Sequence, residues 1–292
     1  MPLKTHPASS EDRRSIEALC RRSRRVLRSP WDWSDYLNAD SFFLLKQAGQ
    51  VEGVFFAWAD ASPIAWVRLA ALADDLSIER WLDQVLPPVV DRLRQRGVRE
   101  LACMDYVGWL GPHLADRGFR HLVDVVEMAK ADQRSPERSS PDVQLRHATQ
   151  QDAETIATLD RAAFTPHWWH SVDYIRDRLS EAALVVVAEL DGQIVGYALT
   201  EFDLPTAHLG RITVHPDHQR RGIGSVLLRH SLQVAWLCCA ERVTLNTQAD
   251  NRPAQQLYRR FGFEPTGVRM RAWRLELEPT TQPGLGSGDG DD

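Results

Sequence analysis

The 292-residue sequence contains few cysteines: Cys20, Cys103, Cys238 and Cys239. They show neither the spacing of metal ligands nor a framework of pairs, so we expect reduced thiols in a cytoplasmic protein and no disulfide scaffold. Long apolar runs are also absent, since no stretch approaches the roughly 20 apolar residues that span a bilayer. The opening MPLKTHPASSEDRRS lacks the apolar core of a signal peptide. The sequence therefore predicts no membrane association.

A broad excess of basic charge is missing as well. Lys and Arg number 35 against 40 Asp and Glu, giving a formal net charge of −5. This balance argues against nucleic acid as a partner, and we interpret the basic run CRRSRRVLR (residues 20–28) as a solvated helix face. Hydrophobic residues at 43% and charged residues at 26% are typical of a soluble globular protein. The length suits two domains.

Two polar segments divide the chain. KADQRSPERSSPD (residues 130–142) holds two prolines and lacks apolar periodicity, as expected for a linker. Residues 279–292 are small and acidic, as in a disordered tail. We therefore expect a first domain over residues 1–130, a linker over 131–142, a second domain over 143–278 and a tail over 279–292.

The second domain alternates predicted strands and helices. VQLRHATQQDAETIATLDRAAF indicates a strand and a one-sided helix, with Ile156, Leu159 and Ala163 on the apolar face. Asp191-Gly192 is a strong hairpin signal because this dipeptide tolerates the positive φ of a tight turn. Further along, AHLGRITVH, RVTLNTQ and VRMRAWRLEL indicate strands separated by two helices. The pattern predicts an α/β (α+β) fold with a mixed, mostly antiparallel sheet flanked by helices.

The first domain repeats this order weakly. EDRRSIEAL matches QDAETIATL at an offset of 140 residues, WVRL matches LGRI at 143, and DRGF matches RFGF at 144. Three matches in the same order, with a slowly growing offset, indicate a duplicated domain.

The segment HPDHQRRGIGSVLLRH (residues 215–230) places Gly222 and Gly224 where an apolar helical pattern begins. Glycine permits a close approach of the backbone, and the first turn of a helix offers unpaired amides at the positive end of its dipole. Arg220 and Arg221 add full positive charges. Two interpretations remain open at this point: an anion cradle, with pyrophosphate as the natural occupant, or an ordinary tight connection.

HPDHQRRGIG resembles the acetyl-CoA loop of the GNAT superfamily, Gln/Arg-x-x-Gly-x-Gly/Ala, through Gln219, Gly222 and Gly224. About thirty residues later, NRPAQQLYRRFGF resembles the second signature of that family. The resemblance covers roughly residues 143–277. It implies an N-acetyltransferase that moves an acetyl group from acetyl-CoA to a primary amine by direct attack. Together with the repeat, it implies two tandem acetyltransferase domains with one active site, in the C-terminal domain.

The resemblance also implies roles for individual residues. The Val214 amide polarises the thioester carbonyl, Asn251 binds the pantetheine arm, and Tyr258 protonates the leaving thiolate. The alternative for Tyr258 is a packed helix residue. The residues expected to bind the cofactor are Ile212, Thr213, Val214, Gln219, Arg220, Arg221, Gly222, Ile223, Gly224, Ser225 and Asn251.

The acceptor amine needs a base, because an ammonium has no lone pair. His208 opens the strand in which some family members carry a glutamate base, and its ordinary pKa of about 6.5 suits that role. The alternative for His208 is a solvent-facing strand residue. Glu201 and Asp203 are further candidates.

The 143–144 offset predicts a degenerate first domain. It places Glu79 opposite Gly222 and Trp81 opposite Gly224, so a carboxylate and an indole replace the two glycines. Asp74 and Asp75 add negative charge where the cradle would be positive. Val107 and Leu114 fall opposite Asn251 and Tyr258. We expect this copy not to bind coenzyme A.

The sequence gives less information about the acceptor amine than about the cofactor. AFTPHWWHSVDY, which ends at Tyr174, brings Trp168 and Trp169 with His167 and His170 into a loop that commonly lines the acceptor side in this family. These residues form either an aromatic pocket or a hydrophobic helix cap. We predict no metal site here, for lack of a third ligand.

The chain is similar to ribosomal-protein N-terminal acetyltransferases, but Asn246 departs from the glutamate that they carry. Two-domain mycothiol synthases share its length. A small-molecule amine and a peptide N-terminus therefore both remain acceptors, and the protein is expected to be a monomer or a homodimer. The rival outside enzymes is a non-catalytic acyl-CoA-binding regulator or scaffold.

Overall fold

The computed structural model describes residues 3–29, 33–60, 63–134, 136, 142–181 and 183–278. The tail predicted for residues 279–292 lies outside the described residues, as do residues 135 and 137–141 of the predicted linker. Among the helices described, none has both the length and the apolar content required to cross a membrane.

The chain forms two compact units. The first comprises the described residues of Met1–His121 and Trp273–Asp292, and the second comprises Leu122–Ala272. The sequence placed the domain limits at residues 130 and 143, whereas the units of the structure meet at residues 121/122 and 272/273. The difference arises because strand pairing determines which unit a segment joins. Residues 125–130 pair antiparallel with residues 243–248 of the second unit. In the first unit, the Leu277 amide donates to the Arg99 carbonyl at 2.8 Å.

The first unit is built around a sheet in the order β1-β3-β4-β5-β6, with β2 also paired to β5. The pairing of β5 with β6 is parallel, and the other pairings are antiparallel. Its elements are β1 (Lys4–Pro7), α1 (Arg13–Arg22), β2 (Arg25–Arg28), β3 (Phe42–Gln47), β4 (Gln50–Trp58), β5 (Ile64–Leu72), α2 (Ile78–Gln95), β6 (Glu100–Asp105) and α3 (Gly111–Ala115).

The second unit contains a sheet in the order β13-β7-β12-β11-β10-β9-β8. Strands β11 and β12 are parallel, whereas β8 with β9, β9 with β10, β10 with β11 and β7 with β12 are antiparallel. Its elements are β7 (Arg120–Lys130), β8 (Gln144–His147), α4 (Ala153–Ala163), α5 (Val172–Ser180), β9 (Leu184–Leu190), β10 (Gln193–Asp203), β11 (Thr206–Val214), α6 (Ile223–Leu237), β12 (Arg242–Gln248), α7 (Arg252–Arg260) and β13 (Glu264–Glu276). The first two residues of β7 and the last four of β13 fall within the limits of the first unit.

Helices cover both faces of the second sheet. Tyr197 on β10 packs in one apolar cluster with Ile156 of α4 and Ile175 of α5. Its neighbour Ala198 packs in another cluster with Leu227 of α6. Because successive strand residues point to opposite faces, α4 and α5 lie on the side of the sheet opposite to α6. The mixed, mostly antiparallel sheet with flanking helices confirms the predicted fold class.

The two units repeat the same local structures. A capping box closed by Asp12 precedes α1, and one closed by Asp152 precedes α4. Gly118 and Gly262, which follow α3 and α7, both have a φ of 83°. Such values favour glycine, because a side chain would meet the neighbouring carbonyl. The shared order of elements agrees with the internal repeat predicted from the sequence.

Candidate active site

Strand β11 has one edge that is paired along its length and one edge whose pairing stops half-way. Against β10, it pairs up to Val214, which faces Gly196. Against β12, the register found in the described residues ends where Leu209 faces Leu245. A β-bulge at Gly210 follows directly, and bulges bend a strand. The last residues of β11 therefore present main chain along an edge that β12 does not cover.

The orientation of the Val214 main chain follows from its neighbour. The His215 amide donates to the Val195 carbonyl on the β10 side at 2.9 Å. Because successive residues direct their amides to opposite edges of a strand, the Val214 amide faces away from β10. Gln219 Nε2 donates to the Val214 carbonyl at 3.1 Å, which ties the next loop to this edge.

The loop between β11 and α6 adopts left-handed backbone conformations. Arg220 has a φ of 61°, and Gly222 has a φ of 86° at the N-cap of α6. Such residues within a turn can direct several amides to one anion. Ser171 caps α5 and Asn251 caps α7 through side-chain oxygens, whereas Gly222 provides no side-chain cap for α6. The Ser225 amide donates to the Gly222 carbonyl at 3.0 Å, so the two amides that precede it are the ones left for an external acceptor.

Positive charge surrounds this helix end. Arg220 and Arg221 are exposed, and the first turn of α6 contains no acidic residue. The Arg221 guanidinium lies 3.1 Å from Nδ1 of His218. Gly224 leaves ordinary space, because a methyl group on it would lie 3.5 Å from Cδ2 of Leu257. The amides, the dipole and the arginines fit an anion such as a pyrophosphate.

Tyr258 lies on α7 with 8% of its surface exposed. Its ring meets Phe263 edge-on, with 6.0 Å between the ring centroids. Burial raises the pKa of Tyr258 to about 12, although the positive charge of Arg211 acts in the opposite direction. The hydroxyl is therefore protonated at neutral pH, as a proton or hydrogen-bond donor must be. Tyr258 is thus a packed core residue, and its role as a donor to the leaving thiolate stays a prediction.

Asn251 has a structural task that the sequence did not suggest. Its Oδ1 accepts a hydrogen bond from the Ala254 amide at 3.2 Å and so caps α7. The Nδ2 group is a separate donor and keeps its own hydrogens for a ligand carbonyl. Capping also fixes the start of α7 at Arg252, six residues before Tyr258.

His208 lies on β11 between Glu201 on β10 and Thr244 on β12. Its Nδ1 lies 2.9 Å from Oγ1 of Thr244. Burial lowers the pKa of His208, and the carboxylates of Glu201 and Glu127 only partly oppose this effect. The imidazole is thus neutral at neutral pH and able to accept a proton. Of the two further base candidates, Glu201 already accepts a hydrogen bond from Arg178 at 2.9 Å, and Asp203 is exposed at the end of β10.

Sequence reasoning missed a buried ion pair beside these residues. Asp160 on α4 is fully buried and accepts hydrogen bonds from Arg211 at 2.9 and 2.6 Å and from the Tyr197 hydroxyl at 2.7 Å. A signal was present, because Asp160 lies four residues after Ile156 on the apolar face of the predicted helix. A charged residue at such a position requires a buried partner.

The acceptor loop, defined here as residues 164–171 between α4 and α5, is held from one side by this pair. The His170 amide donates to Asp160 at 2.7 Å, and the Arg211 guanidinium donates to the Trp168 carbonyl. The His170 ring stacks on Tyr174 with 4.2 Å between centroids. Over the described residues, no group of three or more His, Cys, Asp or Glu side chains is placed to hold a metal ion.

The second unit is similar in sequence to known proteins. Residues 150–263 match the model of the acetyltransferase (GNAT) family. An N-alpha-acetyltransferase of Sulfurisphaera tokodaii is 30% identical over 146 residues, which cover 45% of the chain and 86% of that relative. The chain belongs to the GNAT acetyltransferase family. Its predicted family and its class, an acyltransferase, are thereby confirmed.

Other GNAT relatives extend the similarity. A mycothiol acetyltransferase of Clavibacter sepedonicus is 31% identical over 144 residues, 46% of the chain and 47% of that relative. A solved tandem GNAT protein from the clavulanic acid biosynthesis pathway superposes with a TM-score of 0.66 at 17% identity, over 96% of the chain and all of that structure. At this identity, the structural match shows the fold, and it supports the tandem arrangement.

The first unit starts its corresponding helix differently. Ser77 caps α2 by accepting from the Arg80 amide at 3.2 Å, and its hydroxyl donates to Glu79 at 2.7 Å. Glu79 in turn lies 3.0 Å from Nδ1 of His113. The helix starts therefore align Ser77, rather than Glu79, with Gly222. The preceding loop is also shorter, since residues 73–77 stand in place of residues 215–222.

The remaining equivalents in the first unit are apolar. The Phe119 amide donates to the Leu114 carbonyl at 3.2 Å, just as the Phe263 amide donates to the Tyr258 carbonyl at 3.1 Å. This shared pattern places Leu114, a fully buried residue, where the second unit has Tyr258. Trp81 is also fully buried, in the core of the unit.

Proposed function

We propose that the protein is an N-acetyltransferase that uses acetyl-CoA at a single site in the second unit. The observation that carries this proposal is the uncapped N-terminus of α6 beside the uncovered edge of β11. A helix end that begins with Gly222 and is flanked by Arg220 and Arg221 suits a pyrophosphate. The adjacent main chain of residues 212–214 suits the amide groups of a pantetheine arm.

In this proposal, backbone amides of residues 219–224 bind the pyrophosphate, and residues 212–214 pair with the pantetheine arm. The Val214 amide donates to the thioester carbonyl and stabilises the negative charge that develops on its oxygen. Asn251 keeps its Nδ2 hydrogens for the pantetheine while its Oδ1 caps α7. Acetyl-CoA supplies the activated acetyl group as the second substrate.

His208 removes the proton from the acceptor amine, directly or through a water molecule, as the amine nitrogen forms its bond to the carbonyl carbon. The carbon–sulfur bond then breaks, and Tyr258 donates to the leaving sulfur. The pKa of about 12 for Tyr258 exceeds the ordinary thiol value of about 8.5, so its principal contribution is a hydrogen bond to the developing thiolate. A buried donor of this kind is already oriented before the reaction.

The acceptor is a primary amine, on either a protein N-terminus or a small molecule. The names of two relatives support both classes, N-alpha-acetyltransferase for one and mycothiol acetyltransferase for the other. In the first unit, the capped helix α2 and the shorter loop support the absence of a second cofactor site.

Calorimetric titration of the purified chain with acetyl-CoA tests the site. We expect one molecule bound per chain, and thiol release when a panel of amines and N-terminal peptides is added. Arg220→Glu reverses a charge at the cradle and should weaken binding at least tenfold. Arg80→Glu makes the same change at the start of α2 and is the matched control, with binding unchanged.

Each other outcome has a defined meaning. Two molecules bound per chain would show that the first unit also accepts the cofactor. Binding without thiol release for any amine would favour a non-catalytic acyl-CoA-binding regulator. The absence of binding would overturn the proposal.

A further inference from the structure

The Asp160–Arg211 pair joins helix α4 to strand β11 in a bidentate arrangement. Arg211 donates through Nε to one carboxylate oxygen and through Nη2 to the other. The side chain of Arg211 is 11% exposed and that of Asp160 is fully buried. Charges removed from water persist only when they are paired and hydrogen-bonded. The planar fork fixes the direction of the contact as well as its charge.

The same pair reaches the acceptor loop at three places. The Arg211 guanidinium donates to the Trp168 carbonyl, and Asp160 accepts from the His170 amide at 2.7 Å. The guanidinium carbon also lies 3.9 Å from the centre of the Phe164 ring. Two of these contacts involve the main chain of the loop, so they depend on its position and not on its side chains.

The pair also reaches the strand edge that polarises the thioester in the proposed function. Thr213, between Ile212 and Val214, donates through Oγ1 to Asp160 at 3.3 Å. Arg211 itself immediately precedes this segment. Burial alone would lower the pKa of Arg211, but Tyr197 and Asp160 raise it above its ordinary value, so the guanidinium stays charged.

We infer that Asp160 and Arg211 are positioning residues, which fix the acceptor loop relative to the Val214 amide and so set the path of the acceptor amine. This inference rests on the proposed function. According to this inference, the pair controls how the acceptor amine approaches the thioester and does not contribute to the affinity for acetyl-CoA. A displacement of about 1 Å between reacting groups can lower a rate about a hundredfold.

The matched variants are Arg211→Lys and Tyr197→Phe. Lysine keeps the positive charge, but its single ammonium cannot reproduce the fork that bonds both Asp160 oxygens and the Trp168 carbonyl. Tyr197→Phe removes another buried hydrogen bond to Asp160, at 2.7 Å, without touching the acceptor loop. A purely structural role of the network predicts similar effects from the two variants.

Three measurements on the full chain separate the roles: hydrogen exchange of the loop amides, titration with acetyl-CoA, and steady-state rates with the most active amine of the panel. For Arg211→Lys, we expect at least tenfold faster exchange in residues 164–171 and acetyl-CoA affinity within threefold of the wild type. We expect kcat/KM for the amine to fall about a hundredfold. For Tyr197→Phe, loop exchange should match the wild type.

Unchanged loop exchange in a folded Arg211→Lys protein would overturn the inference, as would a loss of acetyl-CoA affinity equal to the loss in kcat/KM. If Arg211→Lys does not fold, Asp160→Asn serves as the second variant, because the amide keeps the shape and an acceptor oxygen. Absence of acetyl-CoA binding by the wild type is a different result, and it would contradict the proposed function itself.

Discussion

Nδ1 of His208 lies 2.9 Å from Oγ1 of Thr244, across the parallel pair of strands β11 and β12. The contact orients the imidazole ring. When Nδ1 carries the ring hydrogen and donates to Thr244, whose hydroxyl donates to the Ala207 carbonyl at 3.5 Å, Nε2 is the nitrogen left for a proton from the acceptor. Because burial lowers the pKa of His208, the ring is neutral over most of the physiological range. His208, which the sequence position alone suggested as the base, is therefore in the unprotonated state that a base requires.

The pH dependence of turnover tests this role. We expect kcat to rise with pH along a limb whose apparent pKa lies below the ordinary histidine value of about 6.5, since the active form is the unprotonated ring. In His208→Gln, this limb should disappear and kcat should fall by about 10²-fold. A variant that retains the limb would assign it to another group, with Glu201 the next candidate.

Tyr258→Phe tests the donor to the leaving sulfur. Removal of the hydroxyl should lower kcat by about 10²-fold or more, because a general acid or a fixed donor contributes to the transition state. Acetyl-CoA affinity should stay within about threefold, since Asn251 and the loop at Gly222 are untouched. Stopped-flow detection of free thiol measures the rate. Full activity in Tyr258→Phe would leave Tyr258 as a core residue alone.

Two glycines of the cofactor loop are predicted to differ in their tolerance of alanine. Gly222 has a φ of 86°, so Gly222→Ala should lower the free energy of unfolding by about 1–2 kcal/mol and weaken acetyl-CoA binding. Gly224→Ala is the matched control, because the new methyl group would meet Leu257 at an ordinary 3.5 Å. Its stability should change by less than about 0.5 kcal/mol. Denaturant unfolding with calorimetry distinguishes the two, and equal losses would contradict the backbone explanation.

Asp152 is predicted to stabilise the second unit in a pH-dependent way. Its hydrogen bonds with Arg146, chiefly, and with Thr149 lower its pKa to about 2 from an ordinary 3.8. Because the folded pKa lies below the unfolded value, the stabilisation is present above about pH 4 and is lost as the pH falls towards 2. Asp152→Asn should lower the free energy of unfolding by about 1–2 kcal/mol at pH 7.

The control for Asp152 is Asp173→Asn, since the Asp173 side chain is 87% exposed. This surface change should alter stability by less than about 0.5 kcal/mol. If Asp152→Asn proves equally mild at pH 7, the ion pair with Arg146 contributes little to the free energy of unfolding.

The local features of the site could be predicted because they depend on neighbouring residues. Glycine conformation, the amides of a first helical turn and nearby arginines act over a few residues, so the sequence could predict a helix that starts at Gly222 beside two exposed arginines. The helix-ending turn at Gly262 was visible for the same reason. The constant offset of 143–144 residues failed over the loop before α2. Because that loop is shorter than the one before α6, Ser77 and not Glu79 occupies the position that corresponds to Gly222.

The sequence by itself determined the order of elements, the family motifs and the position of the proposed cofactor loop, since short-range geometry encodes each of them. The tertiary structure alone decided that β7 joins the second unit and that Asp160 meets Arg211, 51 residues away. Burial in the tertiary structure also lowers the pKa of His208 and raises that of Tyr258. Strand pairing and burial depend on which distant residues exclude water from one another, and no local pattern specifies that partner.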